Sequence, residues 1–255
     1  MNVRKVKKIL ISQPKPSSEK SPYYDLAEKY DLDLVFYPFI KVESVPIKNF
    51  RSQRVNILDF SAIVFTARTA VDNFFSICDE MKITVPESMK YFCISETVAL
   101  YLQKYIVYRK RKIFFSQTGK IEGLNTAFTK HSKEKFLLPV PEEHNEDIPL
   151  FLDQKKINYT KSVMYRTVSA NFNDSEKMEN YDMIIFFSPL GIHSLIKNFP
   201  DYKQDDAAIA CFGNATAKAV EDAGLRLDCE APQPEYPSMV AALDAFIKEN
   251  HKHHS

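Results

Sequence analysis

The sequence predicts an α/β protein built on two mostly parallel sheets, each flanked by helices. Three observations lead there. Short apolar, strand-like runs alternate with amphipathic helical periods along the chain, the pattern of βαβ units. The runs are too many for one open sheet in 255 residues. A strand–turn–helix pair also recurs approximately. Ile63–Phe75 (IVFTARTAVDNFF) parallels Ile185–Leu195 (IFFSPLGIHSL), and Cys93–Leu102 (CISETVALYL) parallels Cys211–Val220 (CFGNATAKAV) at nearly the same separation.

The opening MNVRKVKKILIS has too short an apolar run for a signal peptide and reads as a first strand, Ile9–Ser12. Strands follow at Leu34–Tyr37, Ala62–Phe65, Tyr91–Ile94, Ile113–Phe115 and Phe136–Val140. The remainder are Val163–Val168, Met183–Phe187, Ala208–Phe212 and Leu225–Cys229. Between several of them lie helical stripes. Val71, Phe74, Phe75 and Cys78 share one face, as do Ile192, Leu195, Ile196 and Phe199. Met239, Ala242, Leu243, Phe246 and Ile247 make the most regular stripe. These stripes are core.

Composition excludes several function classes. Hydrophobic content of 45% and charged content of 26% are those of a soluble globular protein. A net charge of +1 gives no global field for nucleic acid, so Arg4, Lys5, Lys7, Lys8 and Arg109–Lys112 read as solvated surface. No apolar run approaches the ~20 residues that span a bilayer. Cys78, Cys93, Cys211 and Cys229 form no CxxC or Cys/His ligand spacing and read as reduced, packed thiols. His251, His253 and His254 sit in a terminal tail and His193 has no partner four residues on, so no functional metal site is expected. The expectation is a cytoplasmic monomer with no nucleic acid, membrane, metal or redox cofactor.

Two stretches, Phe186–Phe199 and Ala210–Leu225, concentrate the functional signal. Ser188-Pro189-Leu190-Gly191 places a capping hydroxyl and a proline where a helix begins. Gly213-Asn214-Ala215-Thr216 repeats the plan with glycine at the tight turn. Spending two of five glycines at such turns exposes backbone N–H groups, which suits an anionic ligand at the carboxyl edge of a parallel sheet. The two sheets are expected to face one another, each offering hydroxyls and helix N-termini to a cleft. Thr66, Ser188 and Thr216 are the hydroxyls at the turns. Each equally suits a plain N-cap, worth ~1 kcal/mol.

These residues carry a resemblance to the uroporphyrinogen-III synthase family. The matching features are Phe65-Thr66-Ala67 followed by Ala70-Val71, Tyr165-Arg166-Thr167, and Phe187-Ser188-Pro189-Leu190-Gly191. Phe212-Gly213-Asn214-Ala215-Thr216-Ala217 with Ala223-Gly224-Leu225, then Ala231-Pro232 and the last helix, complete them in order. The resemblance implies two similar domains joined by a two-stranded hinge with a cleft between them. Residues 1–35 with 170–255 would form one domain and 43–161 an inserted one, with 36–42 and 162–169 as the linker strands. It also implies the reaction: cyclisation of linear hydroxymethylbilane to uroporphyrinogen III, with loss of water and inversion of ring D. No cofactor is implied, and hydroxymethylbilane synthase would hand over the substrate.

That chemistry needs positioning more than acid–base power. Pyrrole nitrogen lone pairs expel the hydroxyl readily, and closure without inversion is spontaneous. The enzyme must therefore hold a flexible octacarboxylate so that attack falls on the substituted carbon of ring D, giving a spiro intermediate that rearranges. On the resemblance, Tyr165 assists loss of the hydroxyl as a weak general acid, its phenol being protonated below pH ~10. The same position suits an amphipathic tyrosine covering a hinge. Thr66, Arg68, Ser188, Pro189, Gly191, Gly213, Asn214 and Thr216 are the expected substrate-binding positions, with Arg166 ranked lower.

The chain also departs from the family pattern. Gly213-Asn214-Ala215-Thr216-Ala217 stands where many members have Gly-Pro-Thr-Thr-Ala, so one hydroxyl and the proline are gone. Ser95 stands where Gly is common, Val98 where Thr is common, and Ala67 where Ser is frequent. Glu142, Glu143, Glu146 and Asp147 form an acidic stretch that would repel a polyanion facing it. These changes define the alternative: a catalytically degenerate member acting as a tetrapyrrole-binding or regulatory module.

Overall fold

A computed structural model describes residues 3–172 and 177–254. The chain divides into two compact units, one formed by the residues up to Lys41 and from Val168 onward, the other by Val42–Thr167. The first unit begins with β1 (Lys8–Ile11), α1 (Pro22–Tyr30) and β2 (Asp33–Phe36). Strand β3 (Ile40–Ser44) leads into the second unit: α2 (Ile47–Ser52), β4 (Ala62–Phe65), α3 (Arg68–Glu80), β5 (Lys90–Cys93) and α4 (Glu96–Tyr101). It continues through β6 (Ile113–Phe115), α5 (Asn125–Lys130), β7 (Phe136–Pro141) and α6 (Asp147–Gln154). Strand β8 (Tyr159–Ser169) leads back to β9 (Met183–Phe186), α7 (Pro189–Asn198), β10 (Ala208–Phe212), α8 (Asn214–Asp222), β11 (Cys229–Ala231) and α9 (Met239–His253).

The first unit holds a sheet in the order β11-β10-β9-β1-β2, parallel throughout. Side-chain alternation divides its core into two layers. Ile9, Ile11, Met183 and Ile185 meet α1 and α9 through Leu26, Leu243, Phe246 and Ile247. Leu10, Ile184, Phe186 and Ile209 point to the other face and meet α7 and α8 through Ile192, Leu195 and Val220. The α9 stripe is buried as its periodicity predicts, whereas Ile196 on α7 is 38% exposed.

The second unit's sheet runs β3-β8-β7-β4-β5-β6. Ile63, Phe65, Tyr91 and Cys93 face α3 and α4, where Val71, Phe74, Ile77 and Ala99 complete a core. Val64, Phe92, Phe136 and Leu138 face the opposite layer with Phe128 and Leu152. Its ladders are parallel except at β3. Val45 N donates to Met164 O at 3.0 Å and Ala170 N to Phe39 O at 2.8 Å, so β3 runs antiparallel to β8.

One predicted strand is corrected. Leu225–Cys229 is not extended pairing; β11 begins only at Cys229. Side chains take over the hydrogen bonds that a longer ladder would make. The Asp228 carboxylate accepts from Ile209 N at 2.9 Å, and Gln204 Oε1 accepts from Arg226 N at 2.6 Å. Leu225 and Leu227 pack on the α7–α8 side instead.

Connectivity creates a crevice in each sheet. From β1 the chain moves outward to β2, and from β9 outward the other way to β10. In the second unit β4 leads to β5, and β7 leads the opposite way to β8. The carboxyl ends of β1/β9 and of β4/β7 are thus switch points, where neighbouring loops diverge and leave room for a ligand. Among the described residues no helix is long and apolar enough to cross a membrane.

Candidate functional site

In the second unit, strand irregularity aims Tyr165. Strands β7 and β8 pair in register from Phe136↔Tyr159 to Val140↔Val163, and then Pro141 pairs with Tyr165, leaving Met164 as an extra residue. Without that bulge, Met164 and Tyr165 would point to opposite faces. With it, both enter the layer that holds Phe65, Ala70 and Val71, and Tyr165 is only 7% exposed. The Thr69 and Thr66 side chains lie near enough to its hydroxyl to act on its titration. Burial raises the phenol above its ordinary pKa, and hydrogen bonds from Thr69 and Thr66, which favour the ionised form, offset part of the rise.

Thr66 is available for this contact because it does not cap the helix. The cap of α3 is Ala67, with φ −157° and ψ 162° and no side chain to accept a bond. Ser188, at the corresponding turn of the first unit, is a true cap with φ −156° and ψ 153°, and its hydroxyl accepts from Gly191 N at 3.3 Å. Ser95 repeats the geometry before α4, with φ −153° and ψ 162°. The repeat is therefore real at the backbone, but Thr66 aligns with Phe187 and Ala67 with Ser188, one residue away from the sequence pairing.

Thr69 was not among the sequence candidates. Asn73 Nδ2 donates to Thr69 O at 2.7 Å, and Asn73 Oδ1 accepts from the Ser44 hydroxyl at 2.8 Å. This links the first turn of α3 to β3. A hydroxyl three residues beyond Thr66 was the only signal available, and it is a weak one.

Of the two arginines, Arg68 is exposed and lies 5.4 Å from the Tyr101 ring centroid. The Tyr101 hydroxyl donates to Asp72, which also accepts from Lys104 at 2.9 Å and from Tyr105. Burial works to raise the Asp72 pKa; hydrogen bonds from Tyr105, Lys104 and Tyr101 outweigh it and hold the carboxyl below its usual range. Arg166 is committed elsewhere, pairing with Glu43 at 3.1 Å.

The acidic stretch follows β7, at the switch point. Glu142 N donates to Tyr165 O at 2.8 Å, and the Glu142 and Glu143 side chains are exposed. Glu146 is neutralised. Lys161 Nζ lies 2.7 Å away, and the hydrogen bond from Lys161 is the main cause of its lowered pKa. His144 Nε2 sits 3.2 Å from the same carboxylate without hydrogen-bond geometry. Val98 is 5% exposed within the core, and Ser95 accepts from Val98 N at 3.4 Å.

In the first unit the turns are built differently from one another. Pro189 opens α7 behind Ser188. Gly191 is buried, and a Cβ there would lie 3.2 Å from Phe186 Cδ1, so this glycine serves close packing. Gly213 has φ +90°, donates to Ala231 O at 2.6 Å, and accepts from Thr216 N and Ala217 N at 3.0 Å. Asn214 is exposed, whereas Thr216 is 2% exposed, so a ligand at this turn meets Asn214 and Ala215 first. Ser12, at the end of β1, lies beside this edge; its N–H donates to Ile185 O at 3.0 Å.

The cysteines are buried thiols, and burial pushes each pKa up to about 12. Among the described residues no group of three or more His, Cys, Asp or Glu side chains is arranged to hold a metal.

Comparison with known proteins identifies the family. Residues 21–241 match the family described as uroporphyrinogen-III synthase HemD. The uroporphyrinogen-III synthase of Schizosaccharomyces pombe is 24% identical over 246 residues, covering 90% of this chain and 93% of that one. The structure of uroporphyrinogen-III synthetase from Helicobacter pylori shares the fold, with a TM-score of 0.53 at 16% identity over 96% of this chain and all of the other. With well over half its length matched, the chain belongs to the uroporphyrinogen-III synthase family.

Proposed function

We propose that the chain cyclises hydroxymethylbilane to uroporphyrinogen III, with loss of water and inversion of ring D. The observation that carries the reading is a buried phenol, Tyr165, turned by the β8 bulge into the layer beneath the β4–α3 turn, in a chain that matches the family along most of its length.

Tyr165 is the proton donor to the departing hydroxyl. Its raised pKa keeps the phenol intact at neutral pH. As the proton leaves, the nearby Thr69 and Thr66 hydroxyls favour the phenolate, which limits the cost of charge in a buried position. The C–O bond breaks as the pyrrole nitrogen donates its electron pair, and water departs. The substituted carbon of ring D then attacks the resulting methylene cation to give the spiro intermediate. The bond from that carbon to the ring C methylene breaks and re-forms at the free α-carbon of ring D, and the proton that this carbon loses returns to the Tyr165 phenolate. Arg68 is a candidate partner for substrate carboxylates in this unit. Ser188 and Asn214 are the candidates in the other, with Pro189, Gly191 and Gly213 shaping its turns.

Two observations weigh against the degenerate-module alternative. Val98 occupies a core position, so replacing a hydroxyl there with a methyl removes no accessible donor. Glu146 is already balanced by Lys161. Soluble, cytoplasmic and monomeric operation, with substrate received from hydroxymethylbilane synthase, completes the reading.

The test is a coupled assay in which purified hydroxymethylbilane synthase supplies fresh bilane and oxidised products are separated by isomer. A shift from isomer I to isomer III is expected without added metal or nucleotide. Isomer I alone, from folded protein, overturns the reading.

A further inference from the structure

We infer that an aromatic cavity at the carboxyl edge of the first unit's sheet, between Phe187, Phe212 and Tyr23, is a subsite for the face of one pyrrole ring. This inference rests on the proposed reaction and names how its substrate is gripped other than through carboxylates.

The cavity measures about 280 Å³ and is lined by Tyr23, Phe187, Phe212, Pro237, Ser238, Met239 and Val240; the Ser238 hydroxyl is committed to the helix cap, accepting from Ala241 N at 3.2 Å. All these residues lie in one unit. Phe187 directly follows β9 and Phe212 ends β10, so the cavity sits beside the Ser188 and Gly213 turns. Its position is the end of a parallel sheet where ligands bind.

Phe212 is 38% exposed at the end of a strand whose four preceding residues are fully buried. Part of its surface therefore remains available at the sheet edge. The Phe187 and Phe212 centroids are 6.5 Å apart with planes at 28°, near the long end of aromatic pairing. Tyr23 is fixed edge-on against Phe36, 6.1 Å away at 83°, which holds the opposite wall.

Size and chemistry select the occupant. Ligand pockets run from ~300 Å³ upward, so this cavity takes one substituted ring and not a whole tetrapyrrole. Its apolar lining excludes carboxylates, which would remain at its mouth near Asn214 and the Ser188 turn. A pyrrole ring stacked offset on the phenyl rings fits both conditions. Pinning one ring removes torsional freedom from a linear bilane, which is what selective closure requires.

The test is kinetic and spectroscopic. Phe212→Ala should raise KM for hydroxymethylbilane about 5- to 20-fold, with a smaller change in kcat, from the loss of aromatic contact and buried area. At substrate below KM, the isomer I fraction should rise as unbound bilane closes spontaneously. Phe212→Tyr, which keeps the flat face, should restore KM. The chain contains no tryptophan. Phe212→Trp therefore reports locally: anaerobic, colourless uroporphyrinogen III should shift its emission to the blue, while Val107→Trp, 77% exposed in the other unit, should not respond. If Phe212→Ala keeps wild-type KM and Phe212→Trp emission is unmoved while wild type makes isomer III, the subsite is wrong and the reaction stands. If wild type makes isomer I alone, the reaction itself falls.

Discussion

Replacing Tyr165 with phenylalanine removes one oxygen from a side chain that is 7% exposed, and every carbon of the ring stays in place. No cavity forms. The stability cost is therefore at most that of the hydroxyl's polar interactions beside Thr69 and Thr66. A hydrogen bond contributes ~0.5–1.5 kcal/mol net, and Thr69 is exposed and Thr66 half-buried, so both regain water. A loss of about 1 kcal/mol corresponds to a fall in Tm of roughly 2–4 °C for a chain of this size. The kinetic cost is larger. General acids contribute ~10²–10⁴-fold, and because pyrrole nitrogen already drives hydroxide loss, the low end applies. We expect kcat for isomer III to fall about 10²-fold, equivalent to about 2.7 kcal/mol in the barrier, with KM nearly unchanged. The assay is isomer-resolved product formation at saturating bilane, alongside thermal unfolding. A kcat within twofold of wild type, from protein that melts normally, refutes the assignment. The pH dependence has a definite sign. A phenol whose folded pKa is raised above ~10 is fully protonated through neutral pH, so its contributions to rate and stability persist there and decline only as pH rises past ~10.

Two further substitutions probe the surroundings. Thr66→Val keeps the shape and removes a hydroxyl that favours the phenolate; kcat should drop about 3- to 10-fold at constant KM, in line with one lost hydrogen bond. A rise in KM alone would instead make Thr66 a substrate contact. Gly213→Ala should cost ~1–3 kcal/mol, because φ +90° is strained for any residue with a Cβ. Nothing lies within 4 Å of that Cβ, so the penalty is purely conformational, and an unchanged Tm would show the turn tolerates it.

Much of the fold was legible because its signals are local. The α9 stripe of Met239, Ala242, Leu243, Phe246 and Ile247 is helical periodicity, and all five residues are buried. The short apolar run Ile9-Leu10-Ile11 reads as a strand, and the structure buries it on both faces of the sheet. Where side chains compete with the backbone, local reading failed. Asp228 and Gln204 take hydrogen bonds that periodicity in Leu225–Cys229 assigns to a strand. The turn hydroxyls failed differently. A threonine and a serine at matching motif positions look equivalent, yet a single-residue offset makes Ser188 a cap and leaves Thr66 free for Tyr165.

The sequence by itself determined the α/β class, the two sheets and the repeated strand–turn–helix unit, because each is written in spacing and residue type along short segments; the family resemblance needed several short motifs in their order along the whole chain. Tertiary structure decided which groups meet. Tyr165 faces Thr69 and Thr66 only because β8 carries an extra residue at Met164 against β7. Phe187 and Phe212 share a cavity with Tyr23 only because β9, β10 and α1 converge on one sheet edge. Register and convergence depend on residues far apart in the chain, and their energies are settled by packing and not by any local pattern.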